Sequence, residues 1–355
     1  MKKTSYGEGR KNNRDLSSDA GRWGQFHRPT LRASAVLLTI WIVLALLSLM
    51  LGDQMIPLNR AWQALMGQGS SDELFIIQSL RAPRLIMAFL VGAALAVSGA
   101  VLQAVIRNPL AAPDVIGISG GASVGALAFI TYLSSYASIY WMPVASIIGA
   151  FLAAGLVYWL AWRDGVHPLR LVLVGIGISS LLSALTSFML VFSPSYSATS
   201  SYIWLTGTIY GSSWTEVIVL LPWVICFMLL LYVYRGAMNV QLLGDELAVG
   251  LGSRVQRNRL LLIAISVGLA GAAVSVGGVI GFVGLIAPHM ARKLVGPVSW
   301  RLLPVAALTG GAVVALADLV ARTAFLPLDI PVGVFTSGIG APFFIYLLYR
   351  TRNQR

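Results

Sequence analysis

The sequence predicts an all-α, polytopic membrane protein with about ten transmembrane helices. Composition is the first reason: 57% of the 355 residues are hydrophobic and 11% are charged, with mean hydropathy +0.80. A soluble domain carries roughly 25% charged residues, so most of the outward surface of this chain has to face lipid. The second reason is the length of the apolar runs. Runs close to the roughly 20 residues that cross a ~30 Å hydrocarbon core recur at 33–52, 85–106, 115–133, 142–162, 171–192, 217–234, 302–321 and 330–349, beside one long block at 260–291. The third is charge placement. The net charge of +12 comes from basic residues set between the runs, which fits the positive-inside rule and argues against nucleic acid as a partner.

Residues 1–32 hold eight Lys or Arg among Ser, Asn and Gly and read as a disordered, basic cytoplasmic tail. No clean small-x-small cleavage site follows the run 33–52, so it is expected to stay as the first helix of a transmembrane domain spanning 33–350. The block 260–291 has no Asp, Glu, Lys or Arg in 32 residues. As one helix it would measure about 48 Å, too long for one span. Gly277, Gly278, Gly281 and Gly284 suggest a tight turn, with one span near 260–276 and a shorter return near 280–295. That split gives ten spans, both termini inside (351–355 being a short cytoplasmic C-terminus), and 21 Lys/Arg inside against four outside. Without it the count is 16 against nine, and the larger bias favours ten.

Two further segments, 53–80 and 193–214, mix aromatic and polar residues and read as amphipathic caps or aromatic anchors at the interface. Gly117, Gly121 and Gly125 repeat every four residues, as do Gly92, Ala96 and Ala100, so backbones can approach closely there. Val91–Gly99 is faintly echoed, in the opposite sense across the membrane, by Val267–Gly277, as in an inverted repeat. Cys226 is alone in the chain, which leaves no intrachain disulfide, and its surroundings suggest a packed apolar residue.

Catalytic signatures are missing. There is no G-x-x-x-x-G-K-[ST] phosphate loop, H-E-x-x-H, C-x-x-C or G-x-S-x-G, and His27, His167 and His289 are far apart. Asp318 is the one carboxylate that stands out within a span, and either a functional group or an i,i+4 partner for Arg322 accounts for it. Arg81, Arg84 and Arg322 sit at outer ends of spans, where they either receive carboxylates of a docking protein or snorkel to headgroups. The densest charged interruption is Gly244–Arg259. Leu243, Leu247, Leu251 and Val255 recur every four residues behind Asp245 and Glu246, so a short amphipathic helix is expected. Ser253 and Gln256 then match an S-x-x-Q capping box for the next span. A solvated loop and a protein contact are both open on spacing alone.

Together these residues resemble the FecCD-type permeases of ATP-binding-cassette importers, over nearly all of 35–350. The motifs are Arg81-Ala-Pro-Arg84, Leu90–Gly99 with Gln103, Arg107-Asn-Pro-Leu-Ala-Ala-Pro113, Gly244-Asp-Glu-Leu-Ala through Leu251-Gly252, Gly281–His289 with Arg292, Ala317-Asp318 with Ala321-Arg322, Asp329–Gly333, and Gly340-Ala-Pro342. The basic tail is longer than usual, and Asp329 stands where many relatives carry Glu.

The resemblance implies a type II importer permease of ten helices with inverted repeats, not itself an enzyme. It implies a bacterial cytoplasmic-membrane protein that pairs with a second permease subunit, identical or paralogous, and two ATP-binding subunits. A substrate-binding lipoprotein or periplasmic protein would feed it. On this resemblance Gly244, Asp245, Glu246, Leu247, Ala248, Leu251 and Gly252 contact the ATPase, and Arg81, Arg84 and Arg322 dock the binding protein. Asn108, Pro109 and Leu110 lie at the cytoplasmic gate. ATP is used by the partner, and this chain holds no cofactor or metal. A ferric siderophore is the expected cargo, with vitamin B12 or haem as alternatives. An independent secondary transporter is the competing class.

Overall fold

The computed structural model of the chain describes residues 14–193, 195–325 and 329–352. Among them the one β-type pairing is an isolated bridge between Trp162 and Val166. In chain order the helices are α1 (Arg14–Met50), α2 (Leu58–Leu65), α3 (Ser71–Leu74), α4 (Ala82–Ile106), α5 (Ile118–Ala128), α6 (Met142–Leu160), α7 (Pro168–Phe192), α8 (Ser195–Leu205), α9 (Trp214–Leu242), α10 (Asp245–Gly250), α11 (Val255–Gly277), α12 (Val283–Val295), α13 (Ser299–Thr323) and α14 (Val332–Arg352). Among the described residues, seven helical stretches are long and apolar enough to cross a membrane, and Ile118–Leu133 and Val332–Leu347 are shorter apolar helices. With α12, of 13 residues and hence about 20 Å, they account for the ten expected elements.

The long apolar block divides where the glycines suggest. Gly278 ends α11 at φ 65°, and Phe282 at φ 66° opens α12. A Cβ on Gly278 would also overlap the carbonyl of Trp204, so this turn needs glycine for both its backbone angle and its packing.

α4 is the centre of the bundle. Nearly all its residues are buried, between α11, α12 and α13. Glycine makes this possible. A Cβ on Gly92 would overlap the carbonyl of Gly310, and one on Gly99 that of Gly284. Gly121 and Gly125 meet α6 at Gly149 and Ala145 in the same way, as the four-residue spacing implies. Gly117 is different: it sits at φ 77° as the N-cap of α5. Antiparallel α4 and α11 also exchange hydrogen bonds, Ser98 Oγ donating to the Ser266 carbonyl at 2.8 Å and Ser266 Oγ to the Ser98 carbonyl at 3.1 Å. This reciprocal pair is consistent with the inverted relation expected between the two helices.

Four expectations change. Of the tail expected to be disordered over 1–32, residues 1–13 lie outside those described. From Arg14 the backbone is helical and runs unbroken into the first span. Segment 53–80 is a cap only in its first part, where α2 buries Ala61 and Ala64 and exposes Trp62. Its second part continues through a π-helical turn at Phe75–Arg81 into α4, making one rod from Ser71 to Ile106. A capping box starts it: the Glu73 amide donates to Ser70 Oγ, and the Ser70 amide donates to the Glu73 carboxylate. The box expected at Ser253 and Gln256 does not form. Ser253 Oγ accepts from Asn258 Nδ2 at 3.0 Å, and Gln256 Oε1 accepts from the Val166 amide at 3.1 Å. Cys226 is exposed on α9, not packed.

The glycine contacts give a direct test. Gly99→Ala is expected to destabilise the chain by about 1–3 kcal/mol, the usual cost of overpacking, measured by thermal unfolding in detergent. Gly236→Ala, in α9 with nothing near its added Cβ, is expected to be neutral or stabilising by about 0.4–1 kcal/mol.

Candidate functional site

Among the described residues, polar side chains gather in three places that bear on function. One lies at each end of α4, and the third lines a groove between α5, α7 and α8.

The first is at the N-terminal end of α4. Arg84 forks onto Asp329, with Nη1 to Oδ2 at 2.6 Å and Nη2 to Oδ1 at 2.9 Å, while its Nε donates to Asp318 Oδ1 at 2.8 Å. One guanidinium thus ties α4 to α13 and to the entry of α14. Arg322 lies 3.8 Å from Asp318 Oδ2 and donates to Ser48 Oγ at 2.7 Å, which draws in α1. Arg81 donates to the carbonyls of Leu49, Met50 and Gln54, tying down the end of α1. Sequence spacing suggests Arg322 as the partner of Asp318, but Arg84 is the closer one. The three arginines are 6, 8 and 8% exposed. All three are buried, and acceptors from other elements take most of their donors, as a guanidinium at this depth requires; the buried Arg322 Nε has no hydrogen-bond partner among the described residues. They line a recess of about 400 Å³ with Asp53, Tyr210 and Asp329.

The second group is at the C-terminal end of α4, around α10. Gly244, at φ 98°, opens α10, and Gly252, at φ 74°, follows it. Ala248 is buried, whereas Leu247 and Leu251 are 62 and 66% exposed. Glu246 is also on the exposed side. Asp245 turns inward. Its Oδ1 accepts from Arg259 Nη2 at 2.7 Å and lies 3.5 Å from Arg107 Nη2. Arg259 is fully buried and also donates to the Val166 carbonyl, in the turn between α6 and α7, and to Gln241 Oε1 at 3.4 Å.

Arg107 ends α4 at φ 57°, a left-handed position usually given to glycine. An arginine there keeps a side chain that reaches Asp245, which glycine would forfeit. The next residues form the Asn108-Pro109-Leu110 turn, closed by the Leu110 amide on Asn108 Oδ1 at 2.9 Å. The structure therefore joins the stretch 244–252 to the turn 108–110 through Asp245 and Arg107.

The third group lies in a groove of about 480 Å³. Ser179, Ser183, Thr186 and Ser187 follow one face of α7, opposite Ser119 and Ser123 of α5. Asp114 closes it: Ser119 Oγ donates to the Asp114 carboxylate and Ser179 Oγ donates to its carbonyl at 2.8 Å. Here the hydroxyls of α5 and α7 face one another across the groove, and Ser187 also bonds back to the Ser183 carbonyl at 3.0 Å. Sequence reasoning missed this wall, although serines at 179, 183 and 187 in an otherwise apolar run were its signal. It also passed over Arg259 and Arg107 individually, because only the fold shows that both reach Asp245. Among the described residues, no group of three His, Cys, Asp or Glu is placed to hold a metal.

Known proteins with this arrangement can now be compared. The pattern of the FecCD transport family matches residues 39–350. The chain belongs to the FecCD transport family. This FecCD chain is 47% identical, over 94% of its length, to the achromobactin transport system permease protein of Dickeya dadantii, covering 96% of that protein. It is 44% identical, over 90% of its length, to a probable siderophore transport system permease of Bacillus subtilis, covering 94% of it. A solved metal-chelate-type ABC transporter in an inward-facing conformation superposes with TM-score 0.78 at 31% identity, covering 90% of this chain and 99% of that one.

Removing one partner of the buried network at Arg84 should be costly. Arg84→Leu strands Asp318 and Asp329 and is expected to lose about 3–5 kcal/mol of stability. Arg60→Ala breaks only the exposed pair with Glu73, and the expected loss is about 0–1 kcal/mol. Melting curves of the two variants in one detergent compare them directly, and equal losses would contradict the assignment of the load to Arg84.

Proposed function

We propose that this FecCD chain is the transmembrane permease subunit of an ATP-binding-cassette importer that moves a ferric-siderophore complex across the bacterial cytoplasmic membrane. The observation that carries this reading is the link from α10 through Asp245 and Arg107 to the 108–110 turn, found in a chain closely similar to siderophore permeases. The α10 face is cytoplasmic, as are both termini, in keeping with the excess of Lys and Arg on that side.

The exposed Leu247 and Leu251, with Glu246, rest on one of two ATP-binding subunits, which bind and hydrolyse ATP. The permease supplies no ATPase of its own. When the ATPases close, α10 moves, and Asp245 carries that movement to two places. Through Arg107 it reaches the Asn108-Pro109-Leu110 gate, and through Arg259 it reaches the foot of α11 and the α6–α7 turn. A second permease subunit, identical or paralogous, faces the serine groove across the path. The groove offers neutral hydroxyls and one carboxylate and no cation, so a polar chelate slides past without being held tightly. The siderophore keeps the iron, so the permease needs no ligand set for the metal.

A substrate-binding protein delivers the chelate on the opposite face, at the recess lined by Arg81, Arg84 and Arg322. Most of their donors are already taken by other elements, so they act chiefly by shaping this mouth and setting its charge. Long-range attraction there would speed encounter and weaken with salt.

Two variants test the coupling. Leu247→Asp is expected to abolish ATPase co-purification or ferric-siderophore uptake in a strain lacking the native gene, and normal values for both would overturn the contact. Arg107→Gln leaves the exposed α10 face intact. It is expected to keep ATPase binding and hydrolysis while several-fold less chelate enters per ATP in proteoliposomes. An unchanged ratio would sink the relay through Asp245.

A further inference from the structure

A cavity of about 430 Å³ lies between α9 and the start of α13, and none of the machinery above uses it. Its polar lining comes from Tyr232, Arg235, Asn239, Ser299 and Trp300, and no acidic residue borders it. The Arg235 guanidinium stacks on the Tyr232 ring, 3.9 Å from its centroid, and has no carboxylate partner among the described residues. Arg301 does not line the cavity but stacks on Trp300, which does, at 4.7 Å, with its buried Nε unbonded.

Asn239 is held in one orientation. Its Oδ1 accepts from the Ser299 amide at 2.9 Å, which turns its Nδ2 hydrogens away from that bond as free donors. The Ser299 hydroxyl is occupied on the Arg235 carbonyl at 3.0 Å. The pocket is thus furnished with hydrogen-bond donors and fixed positive charge, without anything to neutralise it.

Its depth in the membrane is set by α9. From Trp214, the first residue of α9, to Arg235 is about 32 Å along the axis, close to the ~30 Å of a hydrocarbon core. Arg235 therefore stands at the boundary on the α10 side, level with Trp300, as aromatic belts do. Above it the surface of α9 is apolar and open: Leu229, Tyr232 and Val233 are exposed. A donor pocket at the foot of an exposed apolar face matches a molecule with a phosphate head and acyl tails.

We propose that this pocket binds the phosphodiester headgroup of an anionic phospholipid of the inner leaflet. Arg235 and Asn239 hold the phosphate, Arg301 adds charge beside it, and the acyl chains lie along α9. Guanidinium forks suit phosphate oxygens, and basic pockets between helices on the cytoplasmic side are suited to anionic lipids. The site does not depend on which solute is carried, and transport is not its readout.

Native mass spectrometry of the full-length permease in detergent, titrated with dioleoyl phosphatidylglycerol or dioleoyl phosphatidylcholine, tests it. Wild type is expected to retain phosphatidylglycerol preferentially. Arg235→Gln should weaken that binding about fivefold, the loss of one basic contact near the lipid surface, and leave phosphatidylcholine unchanged. Lys293→Gln, exposed on the same side, should have no effect. Equal effects of the two substitutions, or none, would overturn the site. Inorganic phosphate that binds with Arg235 dependence when phosphatidylglycerol does not would show a free-anion pocket and likewise defeat the lipid assignment. Should Arg235→Gln fail to fold, Arg301→Gln is read against Lys293→Gln by the same criterion.

Discussion

The charged arrangements at the two ends of the bundle depend on the burial of α4. A helix surrounded by other helices can present no charge along its length, so its arginines are confined to its two ends. Arg84 lies at one end, held by Asp318 and Asp329, and Arg107 lies at the other, beside Asp245. Between them the backbone is pressed against α12 and α13 at Gly99 and Gly92, where no side chain gives compliance. Close-packed interiors transmit displacement instead of absorbing it. α4 is therefore a stiff strut joining the arginine-lined recess at one end to the α10 region at the other.

That view separates two uses of arginine in this chain. Arg81, Arg84, Arg259 and Arg322 are buried, and each is surrounded by acceptors contributed by other elements. They hold helices together, and removing one strands a carboxylate or a set of carbonyls. Arg235 and Arg301 have aromatic rings beneath them and, among the described residues, no acid beside them, so their charge is still available to a ligand. The distinction rests on partners: carboxylates and carbonyls from other elements meet the first group, and aromatic rings meet the second.

The serine wall follows from the same economy. A span that must also line a polar path cannot carry many ionised groups, because each would need a buried partner. Hydroxyls that bond back to their own helix, as Ser187 does to the Ser183 carbonyl, satisfy themselves and still present a lone pair to whatever passes. Such a wall is polar while carrying a single carboxylate, that of Asp114.

Much was legible before any tertiary contact was known. Hydrophobic lengths and the Lys/Arg bias located the spans and required the break within 260–291, because no single span fits 32 uncharged residues. The four-residue glycine spacing marked the close contacts, since only missing side chains permit them. Charges among apolar runs marked the 244–259 stretch and the outer arginines as exceptional. What one-dimensional pattern could not decide was partnership. Capping by Ser253 and Gln256 is locally sound, yet Asn258 and Val166 take those groups first. Asp318 has an arginine four residues away, yet the better-placed guanidinium comes from 234 residues earlier in the chain. Spacing along a helix fixes which face a residue occupies. Which charge it meets there is decided only when distant helices pack, and in a lipid-embedded bundle that meeting determines whether an arginine braces the fold or remains free to bind.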